Sequence, residues 1–405
     1  MDVFSFSGSR IVLGDGAMPV GRLEVKNGLI STIDVDDTRP PTDGDHSFYG
    51  VTLYPGFIDV HDHGAVGVDV NEADVDGLLK IASFLASRGV TAWLPTLVPD
   101  SDENYGRVIE AIDELMVVQE GKPVAQAVGV HYEGVFANEK MCGALRPEFF
   151  KSFRDVSCDF VVENESGTTK QHEQARNNNV FRLPRLKSGV HMTTLAPEID
   201  GGIELVEALV GEGWVVSIGH TRADVETLDR AYVAGARHMT HFFNAMTGVH
   251  HREVGVAGWG LAKDDVTFDI IADGIHVHPE MLGVACRSKS ADKVSLISDS
   301  VAPTGLGDGE FQLWGETITV ENGRTRNERG SIAGSVIAMD DAVRMMRSIG
   351  FSEVDVAKMA STNPARLLGL DGRGSLEVGK RADLVAVDAN GNIAFTMIGG
   401  ELACP

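Results

Sequence analysis

The chain has 405 residues, 43% of them hydrophobic, which is ample for one large core or for two or three smaller ones. Its 59 acidic residues against 35 basic ones leave a formal net charge of -24, a field that disfavours nucleic acid and anionic membranes as partners. No apolar stretch reaches the roughly 18 residues of a membrane span, and Met1-Asp2-Val3-Phe4 lacks the basic-then-apolar pattern of a signal peptide. The cysteines, Cys142, Cys158, Cys286 and Cys404, form no CxxC pair, so neither a zinc knuckle nor a disulfide framework is expected. The expectation is a soluble cytoplasmic protein.

Residues 1–56 alternate short β-rich pieces, such as Arg10-Ile11-Val12-Leu13, with Gly, Asp and Pro turns. The stretch from Gly379 through Gly400 has the same texture, so both chain ends are expected to pair into a small β-sandwich domain, residues 1–55 with 372–405. Between them, apolar runs recur near residues 51–60, 91–98, 124–133, 190–196, 214–220, 238–243, 267–273 and 294–299, which makes eight candidate buried strands. Helix-like segments follow most of them: Glu72 to Arg88, Asp102 to Val118, Gly202 to Val210, Ala223 to Ala234 and Pro279 to Arg287. This alternation predicts an α/β fold, a (β/α)8 TIM-like barrel over residues 56–371, whose active site belongs at the strands' C-terminal ends. Residues 161–188, polar and aperiodic, read as a surface excursion between the third and fourth strands.

Those strand ends carry a consistent chemistry. The first delivers His61 and His63, the third Glu133, the fifth His220, the sixth His241 and the eighth Asp299. An HxH pair at a strand end puts both imidazoles on one face, because side chains alternate with a period of two. A lone histidine there is more often a hydrogen-bonded polar residue than a ligand; six compatible groups at one end of one barrel point to a divalent metal. Nitrogen and oxygen donors of this mixture suit zinc, and accept iron, manganese or cobalt. Such an ion lowers the pKa of a bound water, and Asp299 is placed to accept its proton. The plainer reading of Asp299 is a helix N-cap ahead of Val301-Ala302-Pro303. His131, His191 and His238 lie within apolar strands and read as hydrogen-bonded core residues, and His46, His172 and His278 as peripheral.

The order His61-x-His63, Glu133, Ser217-Ile218-Gly219-His220, Thr240-His241-Phe242-Phe243-Asn244-Ala245-Met246 and Ser298-Asp299 resembles the N-acetylglucosamine-6-phosphate deacetylase family of the amidohydrolase superfamily. The resemblance runs from Pro55-Gly56-Phe57-Ile58-Asp59 to Asn363-Pro364-Ala365 and Gly379-Lys380-Arg381-Ala382-Asp383-Leu384. It implies that Glu133, His220 and His241 hold the principal metal, and that His61 and His63 hold a second in members that keep the pair. The fourth strand, Gly189 to Leu195, offers no lysine to bridge two ions, which leaves Glu133 as the bridging group. The resemblance assigns the phosphosugar to Asn244, Ala245, Arg252 and His276, with Arg252 reaching the neighbouring subunit's site in a homodimer. His250 and His251, beside that arginine, are candidates to assist the phosphate.

Departures cluster after Glu133. The chain has Val135 where the family has Pro, Tyr132 where it has Leu, and Cys142-Gly143-Ala144-Leu145 where it has Cys-Gly-Ala-His. The resemblance gives that histidine a part in polarising the acetyl carbonyl, and Leu145 cannot donate a hydrogen bond. The first expectation is therefore metal-dependent deacetylation of N-acetylglucosamine 6-phosphate. The alternatives are an amidohydrolase for another N-acyl sugar or amine, favoured by Leu145, a catalytically silent family member, and a ring-opening or deaminating relative.

Overall fold

The computed structural model describes residues 3–35, 45–47, 51–153 and 183–403. Its centre is a nearly closed barrel of parallel strands, β1 (Phe57–Asp62), β2 (Val90–Leu97), β3 (Gly129–Phe136), β4 (Val190–Leu195), β5 (Val215–Ile218), β6 (His238–Met239), β7 (Thr267–Ile271) and β8 (Val294–Ile297). A parallel bridge between Asp62 and Ser300 ties the last strand back to the first. Strands β2 and β3 are buried at every position, as barrel strands must be when one face meets the lumen and the other the helices. That double burial makes their sequences mostly apolar runs. The helix Asp102–Val118 spans the expected residues, started by the Ser101 side chain accepting from the Asn104 N–H. Asp74 and Asp224 cap Val75–Ser87 and Val225–Ala234 in the same way.

The lumen is layered. Ile58, Val60, Ala92, Leu94, Met192, Ile271 and Ile297 form an apolar floor. On it lies a hydroxyl and imidazole layer: His131 Nε2 meets Thr194 Oγ1 at 2.8 Å, Thr194 meets Thr240 at 2.7 Å, and Thr240 meets Ser217 at 2.5 Å. The His131 Nδ1 faces the Val60 carbonyl at 3.1 Å, so this histidine is a satisfied core residue.

Both chain ends join one eight-stranded sheet, meeting where Thr52–Pro55 pairs antiparallel with Leu384–Val387. Phe6, on the strand Val3–Ile11, stacks on Phe395, on Ile393–Ile398, with ring centroids 5.2 Å apart. Those strands are three positions apart in the sheet, about 14 Å if it were flat. The sheet therefore folds over on itself around Leu23, Leu53, Leu384 and Met397.

Four features differ from the sequence reading. The first apolar run is two strands, one in each sheet, separated at Gly56, where a Cβ would lie 2.3 Å from the Thr91 side chain. The sixth strand is only His238–Met239, because the chain turns inward at His241. Helices Gly255–Ala262 and Met339–Ser348 were not anticipated, nor was an antiparallel sheet of Gly309–Leu313, Glu316–Glu321 and Arg324–Arg326. The expected excursion lies outside the described residues up to 182, while Leu183 and Leu186 pack into the main core. No helix among the described residues is long and apolar enough to cross a membrane.

Candidate metal centre

Three side chains at the barrel mouth are aimed by their backbone. His220, His241 and Asp299 follow β5, β6 and β8, and take φ of 46°, 32° and 50°. This left-handed region costs a non-glycine residue roughly 1–3 kcal/mol, and here it swings each side chain from the strand direction into the lumen. His61 and His63 need no such turn, since they share a face at the end of β1. Glu133 lies within β3, on the same side as the satisfied His131.

The result is one buried knot of donor atoms. Glu133 Oε1 lies 3.0 Å from His220 Nε2, 2.9 Å from His241 Nε2 and 3.4 Å from His61 Nε2, while its Oε2 lies 3.2 Å from His63 Nε2. Asp299 Oδ1 stands 3.4 and 3.3 Å from the Nε2 atoms of His61 and His63, which are 3.0 Å apart. Four ligands placed tetrahedrally at roughly 2.0–2.1 Å from a zinc-like ion stand about 3.4 Å from one another. The donors divide into two triads, His61–His63–Asp299 and Glu133–His220–His241. Each fits a divalent cation, and the two Glu133 oxygens face both. Asp299 caps no helix among the described residues.

The surroundings prepare these rings to ligate through Nε2. His63 Nδ1 faces the Thr96 carbonyl at 3.1 Å and His220 Nδ1 the Met141 carbonyl at 2.7 Å, which places the proton on Nδ1 and a lone pair on Nε2. His61 and His241 are held instead through their backbone N–H groups, which donate to the buried carboxylates of Asp59 and Asp269. His238 also donates toward Asp269, at 3.2 Å, so this starting residue of β6 supports its end.

The electrostatics call for positive charge. Burial alone would disfavour a charged His63 ring, but the Asp299 and Glu133 carboxylates outweigh it and hold its pKa well above the usual value. Against the same burial, Glu133 pushes His241 up to about 9. Conversely, burial opposes ionisation of Glu133 and Asp299, yet neighbouring imidazoles, His61 foremost, hold both below the ordinary carboxylate range. The positive charge these carboxylates draw onto the rings is what a cation would supply with the rings neutral.

The knot opens into a cavity of about 310 Å³, lined by His63, Glu133, His220, His241 and Asp299, with Asn244, Ala245 and His276 on the β6 and β7 side. His61 is buried against these ligands and does not reach the cavity. Asp273 takes the His276 Nδ1 at 2.6 Å and leaves Nε2 as the free ring nitrogen. Arg252 is apart: it is exposed, pairs with His251 at 2.7 Å and does not line the cavity. Gly143, Ala144 and Leu145 line it as well. Sequence reasoning missed Trp314, Ser331, Ile332 and Gly334, which the segment after β8 brings to the same cavity. The alternating residues on either side of Trp314-Gly315 were the available signal for a hairpin there.

Residues 52–403 match the amidohydrolase family. The chain is 34% identical to a Bacillus subtilis (strain 168) N-acetylglucosamine-6-phosphate deacetylase, over 97% of this chain and 95% of that protein. It is 33% identical to an Escherichia coli O157:H7 N-acetylgalactosamine-6-phosphate deacetylase over 97% of each. The crystal structure of the Thermotoga maritima N-acetylglucosamine-6-phosphate deacetylase is similar with a TM-score of 0.83 and 31% identity, covering 99% of both chains. With this metal-ready barrel mouth and these relatives along its whole length, the chain belongs to the amidohydrolase family and, within it, to the N-acetylglucosamine-6-phosphate deacetylases.

Proposed function

We propose that this protein hydrolyses N-acetylglucosamine 6-phosphate to glucosamine 6-phosphate and acetate in the cytoplasm, using two divalent cations, zinc foremost. The observation that carries this reading is the convergence of His61, His63, Glu133, His220, His241 and Asp299 on one buried point. His61, His63 and Asp299, and Glu133, His220 and His241, would each hold a divalent cation, which when bound would lower the pKa of a water and polarise an acyl oxygen, the second being a task that Leu145 cannot perform. Asp299, at the cavity beside the His61 and His63 rings, accepts one proton from the attacking water. The water oxygen bonds to the acyl carbon, the C–N bond breaks, and Asp299 returns the proton to the leaving nitrogen. Asn244, Ala245 and His276 hold the sugar phosphate on the β6 and β7 side. Arg252, exposed and off its own cavity, serves the partner subunit's phosphate in a homodimer.

The Escherichia coli relative supports a second reading, the 4-epimeric N-acetylgalactosamine 6-phosphate, at nearly the same identity. Acetate release from the two phosphosugars and from unphosphorylated N-acetylglucosamine separates the possibilities. We expect N-acetylglucosamine 6-phosphate to be turned over at least about 100-fold more efficiently than the unphosphorylated sugar, as a site built for a charged group requires. Equal rates on those two would remove the phosphosugar assignment, and preference for the galacto epimer would establish the second reading.

Asp299→Asn is expected to lower kcat by about 10²–10⁴ with little change in KM, the range for loss of a positioned acid–base group. Turnover near wild type would take Asp299 out of the mechanism. Sedimentation equilibrium of the active protein is expected to give the mass of two chains, and the mass of one would refute the shared site.

A further inference from the structure

Trp314 breaks a local rule. Five antiparallel hairpins in the described chain close with two residues at positive φ: Asn27-Gly28 (53° and 77°), Val66-Gly67 (48° and 82°), Trp314-Gly315 (53° and 79°), Asn322-Gly323 (52° and 73°) and Gly399-Gly400 (59° and 87°). Such turns favour asparagine or glycine in the first position, where a left-handed backbone is tolerated. Three of the five comply; Val66 and Trp314 do not, and Trp314 is the one bulky aromatic among the five, an outlier for its type. The indole is held in that place, for its Nε1 donates to Asp69 Oδ2 at 2.8 Å and its ring stands edge-on to His63, centroids 5.5 Å apart. A strained side chain that is anchored at both ends and faces a reaction site has a reason to be there.

The cavity's two sides differ in chemistry. Polar groups, Asn244 and His276, come from the segments after β6 and β7. The side made by the segments after β2, β3 and β8 is mainly apolar, Ser331 being its polar member beside Trp314, Ile332 and Gly334. Leu145 and Trp314 line the cavity there, backed by Val98, Ala137, Val301, Ala302, Leu313 and Ile318. Leu145 is packed so closely over Gly134 that a Cβ at that glycine would lie 2.2 Å from its Cδ1. Leu145 is 3% exposed and Trp314 9%, so both side chains are packed into the wall they form.

Resting on the deacetylase reading, we propose that Leu145 and Trp314 form the acyl wall of this site, and that Trp314 sets its depth so that acetyl fits and longer acyl chains do not. An amide carbon beside Asp299 carries two substituents, the sugar nitrogen and the alkyl group. The polar side claims the sugar phosphate, which directs the alkyl group toward the indole and the leucine. The leucine that removes a hydrogen-bond donor from the Cys142–Leu145 loop is thereby half of a specificity surface.

The test compares kcat/KM for N-acetyl- and N-propionylglucosamine 6-phosphate in metal-loaded wild type, Trp314→Gly and Leu145→Ala. Glycine accepts a left-handed φ without strain, so the first variant keeps its turn. Leu145→Ala opens the same wall from a different loop and carries the test if the first fails to fold. One extra methylene against a closed apolar wall is worth roughly 10- to 200-fold in discrimination. Wild type is expected to favour acetyl at least tenfold, and each variant to shift the propionyl-to-acetyl ratio at least tenfold toward propionyl. A structural role alone would lower both substrates together. An unchanged ratio in the folded variants, or a wild type indifferent to the methylene, overturns the acyl wall while the deacetylase reading stands. A wild type that releases neither acid overturns the deacetylase reading and the wall with it.

Discussion

Negative charge buried without a basic side chain governs the barrel mouth. Glu133 and Asp299 face the imidazoles of His61, His63, His220 and His241, the cavity has no lysine or arginine among its described lining residues, and Asp59, Asp62 and Asp269 are fully buried. Taking a carboxylate out of water costs several kcal/mol unless an opposite charge and hydrogen bonds offset it. Some carboxylates yield: burial pushes Asp59 and Asp69 up to about 6. Glu133 and Asp299 do not, because imidazole nitrogens within 3.4 Å hold them ionised. The site is thus poised for divalent cations, and the same charge balance keeps Asp299 ready to accept a proton.

That constraint reaches into the backbone. His220, His241 and Asp299 adopt left-handed φ because only there do their side chains leave the strand direction and meet at one point. The barrel supplies the restraint that keeps them strained. The Asp269 carboxylate accepts from the His241 N–H, and its carbonyl takes the Phe242 N–H at 2.8 Å, while Asp299 donates its own N–H to the His61 carbonyl at 2.9 Å. The cost in local stability is offset by the apolar floor beneath, built from Ile58, Val60, Leu94 and Ile297. Trp314 repeats the pattern on the cavity's far wall, with strain at the turn and an anchor on Asp69.

The barrel was legible in the sequence because parallel strands with both faces covered are mostly apolar runs, and the donor set because each residue lies in the C-terminal half of such a run or just after it. The HxH pair declares its geometry through the two-residue period alone. Continuity also misled: the run through Gly56 hides a strand leaving one sheet for the other, and His238 to Phe243 looks like one strand although the left-handed backbone at His241 turns the chain inward. Trp314 was missed for a different reason. It lies in an antiparallel insertion outside the strand-helix alternation, and nothing local marks a tryptophan as the occupant of a left-handed turn facing a site. Arg252 was named only through family resemblance, and it is exposed and does not line the cavity.

Counting bound cations tests the charge argument most directly. Chelator-stripped protein titrated with Zn²⁺ and assayed by elemental analysis after buffer exchange should retain two equivalents per chain. The His61→Ala/His63→Ala double variant, with Glu133, His220 and His241 intact, should retain one. Wild-type protein that saturates at one equivalent, or binds none, would contradict the reading in which each of the two donor triads would hold an ion.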